Sequence, residues 1–376
     1  MNADNLWVSL RHEFHQQPEL SHQEHLTADK VAEVLQSYSP AQILRNVGDH
    51  GVIAVFDSHQ EGPTTLIRAE LDALPIHESM DIAHISQCCS VSHKCGHDGH
   101  MAIVLSLAEQ LQSKPIARGK VLLAFQSAEE TGKGAQLMVS NEQFLPLTPD
   151  YAFALHNYPG MPLGHVGIKA GPFNCASTGI IITLKGATSH AAYPEHGNNP
   201  GLAMCHIIEH ALALPQLTSV QSWVTLIYSK LGEIAFGTSA GDAVIMFTLR
   251  SETNVGIKQL ESSLIEFTKQ KANDYNLEVS VDYEDAFAAT INDETAASMI
   301  EVTAKANRIP VEILDEPMRW SEDFGRFTQV AKHGAMFVLG SGEQHPQLHH
   351  PDYDFPDSLI ATGQCLFTGL IREING

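Results

Sequence analysis

Positive charge, cysteine and long apolar runs are all in short supply in this chain. Its 376 residues carry 22 Lys and Arg against 44 Asp and Glu, a formal net charge of −22. A surface that neutralises phosphates needs clustered cations, so this deficit, with no Lys/Arg-rich block anywhere, argues against a nucleic acid or an anionic membrane as partner. No window reaches the roughly 18 uninterrupted apolar residues of a membrane-spanning helix. The opening segment MNADNLWVSL has no basic stretch leading into an apolar one, and a cytoplasmic protein is expected. Six cysteines, with Cys88 and Cys89 adjacent, make no disulfide framework. Reduced thiols follow, and a cysteine that matters should act as a ligand or a nucleophile. Internal repeats, low-complexity tracts and Pro-rich linkers are also missing.

What remains is the composition of a packed globular protein, with 43% hydrophobic and 18% charged residues. At roughly 150 residues per domain the length predicts two or three domains. Helical patterns occupy 4–17 and about 22–38, the second with Ser21 placed as N-cap and Glu24 as its capping-box partner. Beyond them a grammar recurs. The apolar run Thr65–Ala69 leads into Glu70 and Asp72, and Val121–Phe125 leads into Glu129 and Glu130. Tyr151–Leu155 ends at His156, and Ala335–Leu339 precedes His345, His349 and His350. An amphipathic pattern over 99–112, with Asp98 as its expected N-cap, lies between the first two runs. Alternating apolar strands and helices predict a largely parallel α/β sheet, whose ligands bind at the strand carboxyl ends. The polar residues fall there.

Between 176 and 287 short strands and two helices occur without that grammar. The expected organisation is therefore one domain from 1–175 and 288–376, interrupted by a smaller α+β domain at 176–287.

The densest chemistry is His93-Lys94-Cys95-Gly96-His97-Asp98-Gly99-His100. In an extended segment Cys95 and His97 would face the same side, and thiolate plus imidazole suits a transition metal, zinc most simply. Two other uses stand beside it: a buried structural cysteine among solvated histidines, and a zinc knuckle from Cys88, Cys89, His93 and Cys95. In Ser127-Ala128-Glu129-Glu130, one carboxylate can bind metal while its neighbour stays free as a base, which metal-assisted hydrolysis requires. The plainer alternative is an acidic pair favouring the next helix's dipole.

In order along the chain, RAELDALPI, KCGHDGH, QSAEETGKGA, ALHNYPGMPLGHVG, SHAAYPEHG and RWSEDFGRF resemble the peptidase family M20 amidohydrolases. The branch is that of the aminoacylases, hippurate hydrolases and auxin-conjugate hydrolases, and the likeness runs from Arg11 past Phe355. It implies a zinc-peptidase-like catalytic domain and an inserted lid or dimerisation domain. It further implies two divalent transition-metal ions (Zn, Mn, Co or Ni) held by Cys95, His97, Glu130, His156 and His349, with Cys95 bridging. Glu129 would be the general base, Asp72 would orient a metal ligand, His190 would stabilise the oxyanion, and Arg250 would hold the substrate carboxylate unless it is simply a solvated strand-end arginine. The phrase Leu348-His349-His350-Pro351 leaves His350 as the alternative last ligand. The family's FNVIP-like motif is replaced here by Phe236-Gly237-Thr238-Ser239-Ala240-Gly241, which removes an asparagine that usually meets the substrate. Glu70 stands where Asp is more common.

The expected activity is hydrolysis of small N-acyl amino acids by metal-activated water, with a homodimer through the inserted domain as the expected assembly. A dipeptidase or aminopeptidase on the same scaffold, and a metal-binding protein without catalysis, are the rival readings.

Overall fold

The computed structural model describes residues 3–376, with side chains described from Leu6 onward; Met1 and Asn2, which head the segment read for a leader, lie outside the described residues. The chain forms two compact units. One takes the chain through Phe173, then Thr290–Pro317 and Glu322–Gly376; the other takes Asn174–Ala289 and Met318–Ser321. The short return of 318–321 to the second unit has no counterpart in the sequence pattern.

The first unit is built on an eight-stranded sheet in the order Gln42–Arg45, Val52–Asp57, Lys120–Gln126, Thr64–Glu70, Tyr151–Pro159, His333–Gly342, Val166–Ile168, Val311–Ile313. Its four central strands, Lys120–Gln126 to His333–Gly342, run parallel. They are covered on both faces, which is why they read as unbroken apolar runs. Towards the edges the pairing turns antiparallel, at 42–45 with 52–57, 52–57 with 120–126, and 166–168 with 333–342. The sheet is thus parallel at its centre and mixed at its rims. Because the central four share one direction, the segments after Glu70 and Gln126, the end of Tyr151–Pro159 and the loop after Gly342 all leave one edge.

Against this sheet packs helix His97–Ser113, whose buried residues include His97 to Ala108 without interruption. A helix that is apolar nearly all round belongs inside a core, and its neighbours are helices Ala3–Gln16 and Leu359–Asn375. Two capping expectations fail. The second helix spans His25–Gln36 with Glu24 as N-cap and no side-chain cap bond. Instead the Glu19 carboxylate accepts Thr27 N at 2.8 Å and Thr27 Oγ1 at 2.9 Å, while Ser21 Oγ donates to Asp72 Oδ2 at 2.7 Å. Asp98 is not a cap either: Gly96, in the left-handed region at φ 91°, holds that place, and Asp98 lies inside the first turn. Its carboxylate is taken by Arg11 Nε at 2.7 Å and His15 Nδ1 at 2.8 Å.

The second unit has a four-stranded antiparallel sheet in the order Ser222–Leu231, Asp242–Ser251, Ala176–Lys185, Glu278–Phe287. Burial alternates along Asp242–Ser251, so one face is packed and the other is not. Ile180, Ile182, Ile245 and Phe247 form the packed face with Ala203 and Ile207 of helix Gly201–Ala213 and Leu260 and Leu264 of helix Asn254–Asp274. Thr253 caps the latter by accepting Gly256 N at 3.0 Å. Among the described residues no helix is long and apolar enough to cross a membrane.

Candidate active site

Seven of the nine singled-out residues converge at the carboxyl edge of the central strands. Cys95 and His97 do not lie in an extended segment as the spacing alone suggested. The chain turns at Gly96, so Cys95 precedes the helix and His97 opens it. Any side chain is strained there, since a Cβ on Gly96 would stand 2.6 Å from Asn157 Oδ1 and φ is positive. Cys95 Sγ lies 3.4 Å from His156 Nε2 and 3.4 Å from His349 Nε2. His97 Nε2 is 3.9 Å from Glu130 Oε1 and 4.0 Å from Glu129 Oε2, and His349 Nε2 is 3.9 Å from Glu130 Oε1. Two sets of three donors, Cys95/His97/His156 and Cys95/Glu130/His349, each fall within 4.8 Å of one another, and Cys95 is common to both. The fold therefore brings His349 to the cluster, while His350 turns its ring to Asp352 N at 3.2 Å.

Second partners fix these rings. His97 Nδ1 donates to the Asp72 carbonyl at 2.8 Å with Asp72 Oδ1 3.5 Å away, and His156 Nδ1 donates to the Asn157 carbonyl at 2.9 Å. Both hydrogen bonds put the ring proton on Nδ1 and leave Nε2 as the donor atom facing the cluster, the tautomer a metal ligand needs. Asp72 is itself held, accepting from Ser21 Oγ at 2.7 Å and Glu130 N at 3.0 Å. The pair Glu129-Glu130 reaches the site through Ala128, whose φ of 51° is left-handed and whose N–H is gripped by Glu24 Oε1 at 2.7 Å.

Electrostatically the site is overloaded with carboxylates. Burial, then Glu322 and Glu130, push Glu129 well above the ordinary carboxylate range; burial together with Asp72 and Glu322 outweighs the pull of His97 and raises Glu130 to about 7. Burial lowers the His97 pKa, but Asp72, Glu70 and Glu130 overcome it and raise it to about 10. The Cys95 thiol is pushed up by burial, Glu130 and Glu129. Buried His97 Nε2 and Glu130 Oε1 have no hydrogen-bond partner. An orphaned imidazole nitrogen and an orphaned carboxylate oxygen, facing each other beside a cysteine in an anionic pocket, are the donor set of a divalent transition-metal site. The residues fit such ions.

Sequence reasoning missed the layer beneath. Arg68 is completely buried and donates from Nε to Gln126 Oε1 at 2.9 Å and from Nη2 to Glu322 Oε1 at 2.8 Å and Asp323 Oδ1 at 2.7 Å, while Nη1 pairs with Glu70. Glu70 also accepts from His100 Nδ1 at 2.7 Å. A charged residue inside an apolar strand, and a second histidine three positions after His97 on the same helix face, were the available signals.

The remaining two predicted residues belong to the second unit. His190 lies in the two-residue strand Ser189–His190, pairs with Thr238, and accepts Ala192 N at 3.0 Å. The segment that departs from the FNVIP-like pattern is thus the strand partner of His190, with Ala191 N donating to Gly237 O at 2.9 Å. Arg250 is not a freely solvated strand end: Nη1 donates to Arg319 O at 3.1 Å and Ser321 Oγ at 2.8 Å, which ties it to the returning segment Met318–Ser321.

A parallel-centred α/β unit with a Cys/His/carboxylate cluster at its strand ends, and a second buried carboxylate beside it, defines a hydrolase of the metallopeptidase type. The chain belongs to peptidase family M20/M25/M40, whose model matches residues 66–373. It is 28% identical to hippurate hydrolase of Campylobacter jejuni, covering 96% of this chain and 94% of that protein. It is also 28% identical to N-acetyl-L-cysteine deacetylase of Bacillus subtilis, covering 94% and 84%. A dinuclear metal-binding peptidase of the M20 family from Bacillus subtilis shares the fold, with a TM-score of 0.85 at 23% identity over 99% of this chain and 98% of that one.

Proposed function

We propose that this chain is a metal-dependent amidohydrolase that cleaves the amide bond of small N-acyl amino acids to a carboxylate and the amino acid. The observation that carries the reading is the pair of donor triads sharing Cys95, with Glu129 in neither of them but 4.0 Å from His97 and in a third close set with His97 and Glu130. Cys95, His97, Glu130, His156 and His349 would hold two divalent ions, drawn from Zn, Mn, Co or Ni, Cys95 being the donor common to both triads. When bound, the ions supply Lewis acidity and lower the pKa of a water molecule to about 7.

The chain's own residues do the rest. Glu129 takes the proton of the attacking water and delivers it to the departing amine nitrogen, and its raised affinity for protons suits both halves of that shuttle. Asp72 holds the His97 ring. His190 hydrogen-bonds the oxyanion that develops on the acyl carbonyl, and Arg250 pairs with the substrate carboxylate. The names of the relatives, a hippurate hydrolase and an N-acetyl-L-cysteine deacetylase, support this substrate class. All six cysteines are unpaired, which suits a reducing compartment such as the cytoplasm. The second unit is assigned the part of lid and homodimer surface.

The test is a panel of N-acetyl, N-benzoyl and longer N-acyl amino acids, with free dipeptides as controls, assayed by amine release after reconstitution with each of the four metals. Turnover of N-acyl amino acids with dipeptides left intact is expected. Dipeptide cleavage without N-acyl turnover would replace this reading by the peptidase one, and no turnover with any metal would overturn it.

A further inference from the structure

Away from that cluster, the turn at His22–Glu24 and the loop at 46–51 assemble a second set of donors. Glu24, Asp49 and His50 each offer one ligand atom, and the three atoms lie within 4.8 Å of one another. Glu24 is fully buried. Its Oε1 accepts Ala128 N at 2.7 Å, whereas the equally buried Oε2 has no hydrogen-bond partner. Asp49 Oδ1 lies 3.3 Å from His50 Nε2, and Asp49 Oδ2 lies 2.7 Å from His22 Nδ1. The ring of His25 rests on that of His50, with centroids 3.9 Å apart. A buried carboxylate oxygen left without a donor costs about 1–3 kcal/mol, so a native chain keeps one where something else satisfies it.

We propose that Glu24, Asp49 and His50 form an auxiliary binding site for a divalent transition-metal ion, with His22 and His25 as the imidazoles beside it. Two carboxylates cancel the charge of a divalent cation, and the imidazole selects zinc, nickel or cobalt over calcium and magnesium. None of the three residues belongs to the Cys95 cluster. Glu24 also grips the Ala128 turn that carries Glu129 and Glu130, so an ion here pins three loop segments at once: the approach to helix His25–Gln36, the loop at 46–51 and that turn. Its part is structural, bracing the loop from which the two carboxylates project.

The probe is zinc alone. The full chain, stripped with chelator, is dialysed against buffered zinc and its content measured by elemental analysis, in the parent and in the double variant Asp49→Asn/His50→Gln. The variant should hold about one zinc fewer than the parent at the same free zinc. A crystal of the parent should show an anomalous zinc peak among Glu24, Asp49 and His50. Because the anomalous peak is read by position, among residues outside the Cys95 cluster, the map tests this site whatever that cluster binds or catalyses. Equal zinc content, or an anomalous map with no peak among these three residues, overturns the proposal; if the variant does not fold, the map alone decides.

Discussion

Replacement of Glu129 by Gln separates a catalytic carboxylate from a structural one, because the two roles move activity and stability in opposite directions. The amide keeps the shape of the side chain and cannot accept a proton. A positioned general base contributes 10²–10⁴ in rate, so kcat should fall by that factor, about 2.7–5.4 kcal/mol at 1.36 kcal/mol per decade. Stability goes the other way. Burial and the neighbouring Glu322 and Glu130 raise the folded pKa of Glu129 above its ordinary 4.5. Between the ordinary value and the raised one, the unfolded chain is ionised while the folded chain still holds the proton. The stabilising contribution is therefore complete below the ordinary value and is lost as pH rises through the folded one. In the ion-free protein, E129Q should melt no lower than the parent at pH 8, and its advantage should grow from pH 4.5 upward and then level off. The assay is amine release from an N-acetyl amino acid, with metal content measured on the same preparation and melting followed in chelator. An unchanged kcat at equal metal content refutes the shuttle. A melting point several degrees below the parent at pH 8 would make Glu129 a structural carboxylate instead.

Three further substitutions probe what surrounds it. Arg68→Met leaves Glu70, Glu322 and Asp323 buried without their counter-ion, a loss of about 3–5 kcal/mol that should lower the melting temperature by roughly 10 °C. His349→Ala should weaken zinc binding by about tenfold or more while His350→Ala leaves it unchanged, read by competition with a chromogenic chelator. Gly96→Ala must adopt a left-handed conformation at a cost of roughly 1–2 kcal/mol and push against Asn157; metal content should fall more than helix content by circular dichroism, since Cys95 and His97 flank the displaced residue.

The strand-then-ligand grammar was legible because buried parallel strands must be apolar throughout, so a carboxylate or histidine at the end of such a run stands out. It located Asp72, Glu129, Glu130 and His156 on one sheet edge. Local patterns failed where a distant segment competes for the same side chain. Ser21 and Glu24 have the spacing of a capping box, but Asp72 claims the first and Ala128 N the second. Asp98 has the place of an N-cap, but Arg11 and His15 claim it from another helix. The short rim strands Val166–Ile168 and Val311–Ile313 have three residues each, too few for a period to register. Arg68 is the instructive miss, because a lone arginine in TTLIRAE reads as an interruption until Glu322 and Asp323 arrive from the far side of the chain.

The acidity of the chain acquires a local meaning in this light. Glu70, Asp72, Glu129, Glu322 and Asp323 are all buried around the cluster, and buried Arg68 is the permanent cation paired with Glu70, Glu322 and Asp323. Uncompensated buried carboxylates are expelled or protonated unless a cation holds them. Burial raises Asp323 to about 8 despite Arg68, as it raises Glu130 and Glu129, so protons already stand in where positive charge is short. Divalent ions on the Cys95 cluster would displace such protons and return Glu130 to the ionised form in which it can ligate. On the proposed mechanism, site assembly and base activation would be one event: positive charge held by the donor cluster would also favour the ionised form of Glu129.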